Sequence, residues 1–335
     1  MPVPAGAIPR AAAAPELSYH CDRPIRVVYI GGWLRSGSTL LCQSLGCFPG
    51  AVALGEVAGI WGAAARGEPC SCGRRVTDCE VWSHALACVK TTCAKNASYS
   101  ELSDLAARVL RTRHASRLGH LDACQKGAWP ADVRRYVTVL GTLLKGVAEV
   151  TGAYTLIDSS KLPPGFLTTR LSPAVTVDLV HILRDPRAVA NSERKSQLAL
   201  RRGSELPAPP KRSAAKSAIY WSGFNLTLRW YARYARSYAI LDYEDLVNRP
   251  RECLTALADH LGLPDSDASL RDGIVHPGHL AVGNPSRFSS PSDGYRGADL
   301  SWRTELPLHE RVIVTLATLG INRCLKSSLR PRVGP

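Results

Sequence analysis

Residues 32–39, Gly-Trp-Leu-Arg-Ser-Gly-Ser-Thr, have the glycine and hydroxyl spacing of a loop that binds phosphate. They follow an apolar run over residues 26–31 and lead into a helical pattern at residues 39–45. In a strand–turn–helix of this kind, backbone N–H groups converge on an anion and the helix dipole favours its negative charge. The residues expected to bind the anion are Arg35, Ser36, Gly37, Ser38 and Thr39.

The loop lacks the lysine of a triphosphate-binding loop. Such loops read G-x-x-x-x-G-K-[ST], and Ser38 stands here at the lysine position. That lysine serves the β- and γ-phosphates, so its replacement predicts an anionic nucleotide that is bound without triphosphate hydrolysis. A kinase-like P-loop enzyme remains an alternative, as does a non-catalytic nucleotide-binding module.

A second strand-to-helix junction lies at residues 181–192, His-Ile-Leu-Arg-Asp-Pro-Arg-Ala-Val-Ala-Asn-Ser. Asp185 can cap the helix and Pro186 suits its first position. Arg184 and Ser192 can then reach the same side, where a guanidinium and a hydroxyl make a phosphate clamp. The alternative is an ordinary amphipathic helix in which Arg184 pairs locally and Ser192 has no role.

Four strand-like runs must position these motifs. They are residues 26–31, 153–158, 176–183 and 238–243. Helical patterns separate them, which predicts an α/β fold with a central parallel sheet and helices on both faces. Polar residues follow every strand, at the sheet edge where such folds bind ligands. The anion sites are therefore expected to share one crevice.

The remaining segments have distinct compositions. Residues 1–24 are rich in Ala and Pro and predict a flexible tail without a secretory signal. Residues 57–151 predict a helical, cysteine-containing insertion. A proline-rich loop is expected over residues 201–212, an irregular segment over residues 262–300, and a last helix over residues 308–325.

Size and charge exclude several classes of protein. The chain has 335 residues, 45% of them hydrophobic, enough for a full core. Its formal net charge of +14 suits an anionic cofactor or acceptor, or simply an arginine-rich solvated surface. The sequence has no basic stripe with interleaved aromatic residues, so nucleic-acid binding is not expected. No apolar stretch approaches the roughly 20 residues of a membrane span, so a cytoplasmic protein is expected.

Eleven cysteines are many for such a protein, and an odd number cannot all pair within one chain. Without a secretory signal, reduced thiols are expected. Cys70, Cys72 and Cys79, with His84, could supply four zinc ligands. This spacing is not one of the strong zinc patterns, so buried or loop thiols without a metal are the default interpretation.

The two anion motifs, taken together, resemble the donor-binding motifs of sulfotransferases that use 3′-phosphoadenosine 5′-phosphosulfate. The resemblance implies that the first loop holds the 5′-phosphosulfate and that Arg184 and Ser192 hold the 3′-phosphate. Tyr-Glu-Asp-Leu at residues 243–246, the segment 283–288 and Trp-Arg at 302–303 also resemble family signatures. The resemblance spans roughly residues 25–327. It implies a P-loop-like three-layer sulfotransferase domain over residues 25–330.

The resemblance also implies roles in an in-line sulfuryl transfer that follows the logic of phosphoryl transfer. Many cytosolic members of the family carry Lys where this chain has Arg35. In having Arg at this position, the chain resembles the bacterial and tyrosylprotein members. Arg35 is expected to stabilise the leaving oxygen. Glu56, twenty-one residues later, resembles the catalytic base of the tyrosylprotein members. A capping or ion-paired carboxylate is its alternative, and His181 or His84 could serve as base instead, although His181 lies in an apolar strand and is expected in the core.

Three further assignments draw on the resemblance. Lys161 would help to stabilise the transferring sulfuryl group, with a solvated surface lysine as the alternative. Arg287 is assigned to the 3′-phosphate and Tyr243 to the adenine side. No metal is required, and the acceptor is expected to be a small molecule or glycan. Neither its identity nor the oligomeric state is readable from the sequence.

Overall fold

The computed structural model describes residues 25–121, 128–200, 213–264, 278–289, 295 and 297–327. The tail expected over residues 1–24 and the loop expected over residues 201–212 lie outside the described residues, as does part of the irregular segment 262–300.

A single sheet of five parallel strands forms the centre of the described chain. The strands are β1 (Ile25–Gly31), β2 (Ala51–Gly55), β3 (Thr155–Lys161), β4 (Val175–Leu183) and β5 (Tyr238–Asp242). Their order across the sheet is β2-β3-β1-β4-β5. The strand that precedes the phosphate loop is therefore central, and all the strands end at one edge. The predicted α/β fold with a parallel sheet is confirmed.

Two features of the sheet differ from the sequence prediction. β2 was missed, because Ala-Val-Ala-Leu-Gly has few of the bulky β-branched residues that mark a strand. β3 was expected to end at Asp158, but it continues to Lys161, with an irregularity against β1. The Asp158 carboxylate accepts a hydrogen bond from the Ser160 N–H at 2.8 Å, which keeps this polar strand end satisfied inside the protein.

Thirteen α-helices occur among the described residues. They are α1 (Ser38–Leu45), α2 (Ile60–Arg66), α3 (Glu80–Thr92), α4 (Tyr99–Val109), α5 (Ala115–His120), α6 (Ala131–Thr151), α7 (Pro163–Arg170), α8 (Pro186–Leu200), α9 (Ala214–Tyr231), α10 (Tyr243–Asn248), α11 (Pro250–Leu261), α12 (Trp302–Glu305) and α13 (Leu308–Ser327). α13 extends two residues beyond the predicted last helix. None of them is long and apolar enough to cross a membrane.

The alternation of side chains along β1 divides the core into two layers. Val27 and Tyr29 face a core built with α6, α7 and α9, whereas Val28 and Ile30 face one built with α1 and α11. The sheet with these two helical layers makes the predicted three-layer fold. Within residues 57–151 the described elements are helical and share the first of these cores. The outer limits of the domain, residues 25 and 330, stay a prediction.

Candidate functional site

The phosphate loop leaves the central strand β1 and ends at the N-terminus of α1. Gly32 lies so close to β4 that an added Cβ would be 2.6 Å from the carbonyl oxygen of Ile182. Gly37 is the N-cap of α1 with φ of 88°, and no side chain caps the helix. The N–H groups of the first turn therefore remain directed at the loop, as an anion site requires.

Arg35 and Arg184 meet at this loop. Arg35 has a left-handed backbone, with φ of 65°, and its Nε donates to Ser192 Oγ at 2.9 Å. Arg184 follows β4, and its Nη1 donates to the Arg35 carbonyl oxygen at 2.8 Å. The guanidinium of Arg184 also lies 4.6 Å from the centroid of the Tyr243 ring. The structure thus brings together Arg35, Arg184, Ser192 and Tyr243, with Ser192 bonded to Arg35.

This cluster carries concentrated positive charge and includes a buried hydrogen-bond donor, on Arg184, that lacks an acceptor among the described residues. Arg184 is buried, and its Nε has no hydrogen-bond partner among the described residues. An acidic side chain, Asp299, approaches its Nη2 at 3.8 Å. Burial, and then the neighbouring charge of Arg184, lower the pKa of Arg35. A buried guanidinium donor without an acceptor, next to a second guanidinium group, fits an anionic ligand.

Glu56 and Lys161 form an ion pair at the ends of the neighbouring strands β2 and β3, in which Lys161 Nζ donates to Glu56 Oε1. Lys161 is buried and has a left-handed backbone, with φ of 69°. The alternative of a solvated surface lysine is therefore wrong. Glu56 has the ion pair that was its alternative, and this arrangement leaves its role as a base untested.

A segment over residues 278–289, here called the strap, covers this pair. A Cβ added to Gly283 would lie 3.5 Å from Glu56 Oε1 and 3.9 Å from Thr39 Oγ1. Glu56 and the first turn of α1 therefore face the same glycine. The backbone of Glu56 donates to the Val282 carbonyl oxygen at 3.0 Å, which fixes the strap beside β2.

Arg287 lies on the strap and turns back onto it. Its Nη1 donates to the Gly283 carbonyl oxygen at 2.8 Å, and its Nε is buried without a partner among the described residues. Burial lowers the pKa of this guanidinium. Gln43 of α1 donates to the Arg287 carbonyl oxygen at 3.4 Å. Arg287 is thus placed beside α1 and the Glu56 pair.

Asp158 is a buried residue to which sequence reasoning gave no role. Its Oδ1 accepts from Ser160 Oγ at 2.5 Å and from the Val57 N–H at 3.3 Å. Burial raises the pKa of this carboxyl to about 6. Asp158 therefore joins the residue after Glu56 to the end of β3, which carries Lys161. Its place before two serines at a strand end was the available signal.

The two histidines considered as bases lie elsewhere. His181 is fully buried in β4, with Nε2 2.8 Å from Asn225 Oδ1 and Nδ1 3.1 Å from the Tyr238 hydroxyl. Burial lowers the pKa of His181 to about 4, and the expected core position is confirmed. His84 is exposed on α3, with Nε2 3.7 Å from Glu149 Oε2.

The cysteine cluster has a different fourth member from the expected one. His279 of the strap, and not His84, joins Cys70, Cys72 and Cys79. α3 turns His84 toward solvent, whereas the strap carries His279 to Cys79. The sequence offered no signal for this pairing, because His279 follows Cys79 by 200 residues.

Comparisons with known proteins give only distant likenesses to solved structures. No protein-family model matches the chain, and no curated protein matches it. Similar solved structures include the sulfotransferase domain of the Synechococcus PCC 7002 olefin synthase, with 20% identity and a TM-score of 0.48 over 89% of this chain and 95% of that one. The sulfotransferase domain of the curacin biosynthetic pathway has 17% identity and a TM-score of 0.46, over 90% and 98%.

Sulfotransferase STF1 from Mycobacterium tuberculosis H37Rv is a third similar structure, with 15% identity and a TM-score of 0.41 over 80% of this chain and 77% of that one. At these TM-scores and identities, the likenesses do not carry an activity over to this chain. The function has to follow from the site's own residues.

Proposed function

We propose that the chain is a sulfotransferase that moves a sulfuryl group from 3′-phosphoadenosine 5′-phosphosulfate to a hydroxyl or amine. The observation that carries this proposal is the buried Arg184, whose Nε lacks an acceptor while its Nη1 contacts the phosphate loop. Two anion motifs that meet through one arginine suit a nucleotide with two separate phosphate groups. The motif resemblance at Arg35 and Ser192 supports the same donor.

The binding roles follow the motifs. The N-terminus of α1 and the loop residues Ser36–Thr39 hold the 5′-phosphosulfate. Arg184 and Ser192 hold the 3′-phosphate, and Tyr243, already against the Arg184 guanidinium, flanks the nucleoside. Arg287, whose buried Nε has no partner in the described part of the chain, supplies a further donor for the 3′-phosphate.

The catalytic roles belong to three charged side chains. Glu56 accepts the proton of the attacking hydroxyl or amine. Arg35 and Lys161 neutralise the negative charge that develops on the leaving phosphate oxygen and on the sulfuryl oxygens. Because these cations supply the charge stabilisation, the reaction centre requires no metal. In having an arginine in this loop, the chain resembles the bacterial and tyrosylprotein sulfotransferases. A cytoplasmic location is also part of this proposal.

A thermal-shift comparison tests the donor. Melting temperature is measured with 3′,5′-bisphosphoadenosine and separately with ATP and Mg²⁺. A ligand at 100 times its dissociation constant stabilises the folded state by about 2.7 kcal/mol, so a shift of several degrees is expected for the bisphosphate. Stabilisation by ATP alone would overturn the proposal in favour of a kinase-like P-loop enzyme.

Once the donor is established, the acceptor can be identified by a transfer assay. Candidate hydroxyl- and amine-bearing metabolites, including glycans, are incubated with enzyme and donor and examined by mass spectrometry for the gain of one sulfuryl group. Donor binding without any transfer, across acceptor classes, would favour the non-catalytic nucleotide-binding module.

A further inference from the structure

Three cysteines that precede α3 and one histidine of the strap bring their side-chain ligand atoms together. The sulfur atoms of the cysteines and a ring nitrogen of the histidine all lie within 4.8 Å of one another, and these residues are Cys70, Cys72, Cys79 and His279. Cys70 and Cys79 are fully buried, and Cys79 Sγ lies 3.2 Å from His279 Nδ1. The thiols are free.

This donor set fits a closed tetrahedral metal site. Zn²⁺ binds thiolate sulfur at about 2.3 Å and imidazole nitrogen at about 2.0 Å, and three cysteines with one histidine are a common structural set. Tetrahedral geometry at those bond lengths separates the ligand atoms by about 3.5 to 3.8 Å. Side-chain adjustments of about 1 Å are therefore sufficient to surround an ion.

The backbone around the ligands is already held in place. Cys70 N–H donates to the Arg74 carbonyl oxygen at 2.8 Å in a tight turn. Ser71, between two of the ligands, accepts from the Leu280 N–H through Oγ at 2.9 Å. Trp82 Nε1 donates to the His279 carbonyl oxygen at 2.6 Å. These contacts orient the ligand-bearing chain segments, as the outer shell of a metal site does.

We propose that one structural Zn²⁺ ion is bound by Cys70, Cys72, Cys79 and His279. Four protein ligands leave no open position, so the ion stabilises the fold and takes no part in sulfuryl transfer. It joins residues 70–79 to the strap, which is 200 residues away in the chain at His279. The strap contacts β2 through Ala281 N–H and the Leu54 carbonyl oxygen, at 3.2 Å. The ion thereby anchors the strap beside Glu56.

A second group of possible ligands provides the matched control. His84, Cys88 and Glu149 also cluster, but they are exposed or half-buried and number only three. Substitutions in this group remove the same residue types without touching the proposed site.

Metal analysis of the full chain, purified without chelators, tests the proposal. We expect about one zinc ion per chain. His279→Gln should lose stoichiometric zinc, whereas His279→Cys, which restores a fourth ligand, should retain it. His84→Gln and Cys88→Ser should both retain it. Cobalt substituted into the unaltered chain should show the visible bands of a tetrahedral ion and thiolate-to-cobalt charge transfer, which does not depend on any variant folding.

Three results would overturn the proposal. The chain could contain no stoichiometric metal after expression with added zinc, Cys70 and Cys79 could prove to be joined by a disulfide in the purified chain, or the metal could follow His84 and Cys88 instead of His279. None of these measurements involves the nucleotide, so their failure is distinguishable from failure of the proposed sulfotransferase activity.

Discussion

Arg184 connects two motifs that are separated in the sequence by almost 150 residues. Its guanidinium reaches the carbonyl oxygen of Arg35 in the first motif and lies over the ring of Tyr243 in a third segment. The Nε that remains has no partner among the described residues, in a position where water is excluded. Because an unsatisfied buried donor is costly, an anionic ligand at this point gains more than it would at an exposed arginine.

Removing this guanidinium should weaken nucleotide binding. A hydrogen bond to a charged group contributes about 1.5 to 3 kcal/mol, so Arg184→Ala should bind 3′,5′-bisphosphoadenosine about 10- to 100-fold more weakly, measured by calorimetry. Arg187→Ala is the matched control, because Arg187 pairs with Asp185 at 2.6 Å in the same motif. Equal affinities for Arg184→Ala and the unaltered chain would remove Arg184 from the binding site.

Substitution of Glu56 should affect turnover and not donor affinity. If Glu56 accepts the acceptor's proton, Glu56→Gln should lower kcat by about 100-fold or more, with bisphosphate affinity little changed. Arg35→Ala should likewise lower turnover more than binding. Glu68→Gln serves as the control, because it also removes a glutamate from an ion pair, in this case the pair with Arg66 at 2.7 Å. Normal turnover in the Glu56 variant would exclude it as the base.

At the scale of elements, the N-terminus of α1 depends on its glycine. Gly37 has φ of 88°, and a Cβ there would lie 2.3 Å from Cδ2 of Tyr243. The close approach brings the ring against both the loop and Arg184. Any side chain at this position must displace the Tyr243 ring as well as strain the backbone.

A pair of glycines separates these two effects. Gly152, after α6, has φ of 65° but nothing within 4 Å of an added Cβ. Gly152→Ala should cost only the left-handed backbone penalty, about 1 to 2 kcal/mol of unfolding free energy. Gly37→Ala should cost more and should also lose the thermal shift induced by bisphosphoadenosine. A Gly37→Ala protein that keeps the full shift would show that the loop does not bind the nucleotide as proposed.

For the whole molecule, the buried His181 predicts acid sensitivity. Its pKa is about 4 in the fold and ordinarily 6.5, so the unfolded chain binds the proton more readily between these values. The associated stability is present above pH 6.5 and is lost as pH falls toward 4, by about 3 kcal/mol in total. Urea unfolding measured between pH 6.5 and 4 should show that the free energy of unfolding falls less steeply with pH in His181→Gln than in the exposed control His309→Gln. Equal slopes would contradict the prediction.

Asp158 has the opposite effect on folding stability over much of the same pH range. Its pKa is raised from 3.8 to about 6, so its protonated form favours the fold and this stability is lost as pH rises through 6. Asp158→Asn should therefore lose stability more steeply on acidification than the unaltered chain, by up to about 3 kcal/mol. An unchanged pH profile in that variant would show that burial does not hold the carboxyl protonated.

Much of the architecture was predictable because it depends on local patterns. Apolar runs indicated β1, β4 and β5, and Asp185 before Pro186 indicated the start of α8. β2 is not predictable in this way, because its stability comes from pairing with β3 and not from its own residues. The end of β3 is not predictable either, because a tertiary position inside the protein lets Asp158 satisfy polar groups that otherwise favour a turn.

The sequence by itself determined the α/β class, the two anion motifs and the identity of the residues that carry charge, because hydrophobic period and motif spacing are local properties. Only the tertiary structure decided which of those residues meet. It bonded Ser192 to Arg35, paired Glu56 with Lys161, and brought His279 in place of His84 to the cysteines. These contacts join distant segments across the ends of parallel strands, and their partners are selected by chain packing that no local pattern records.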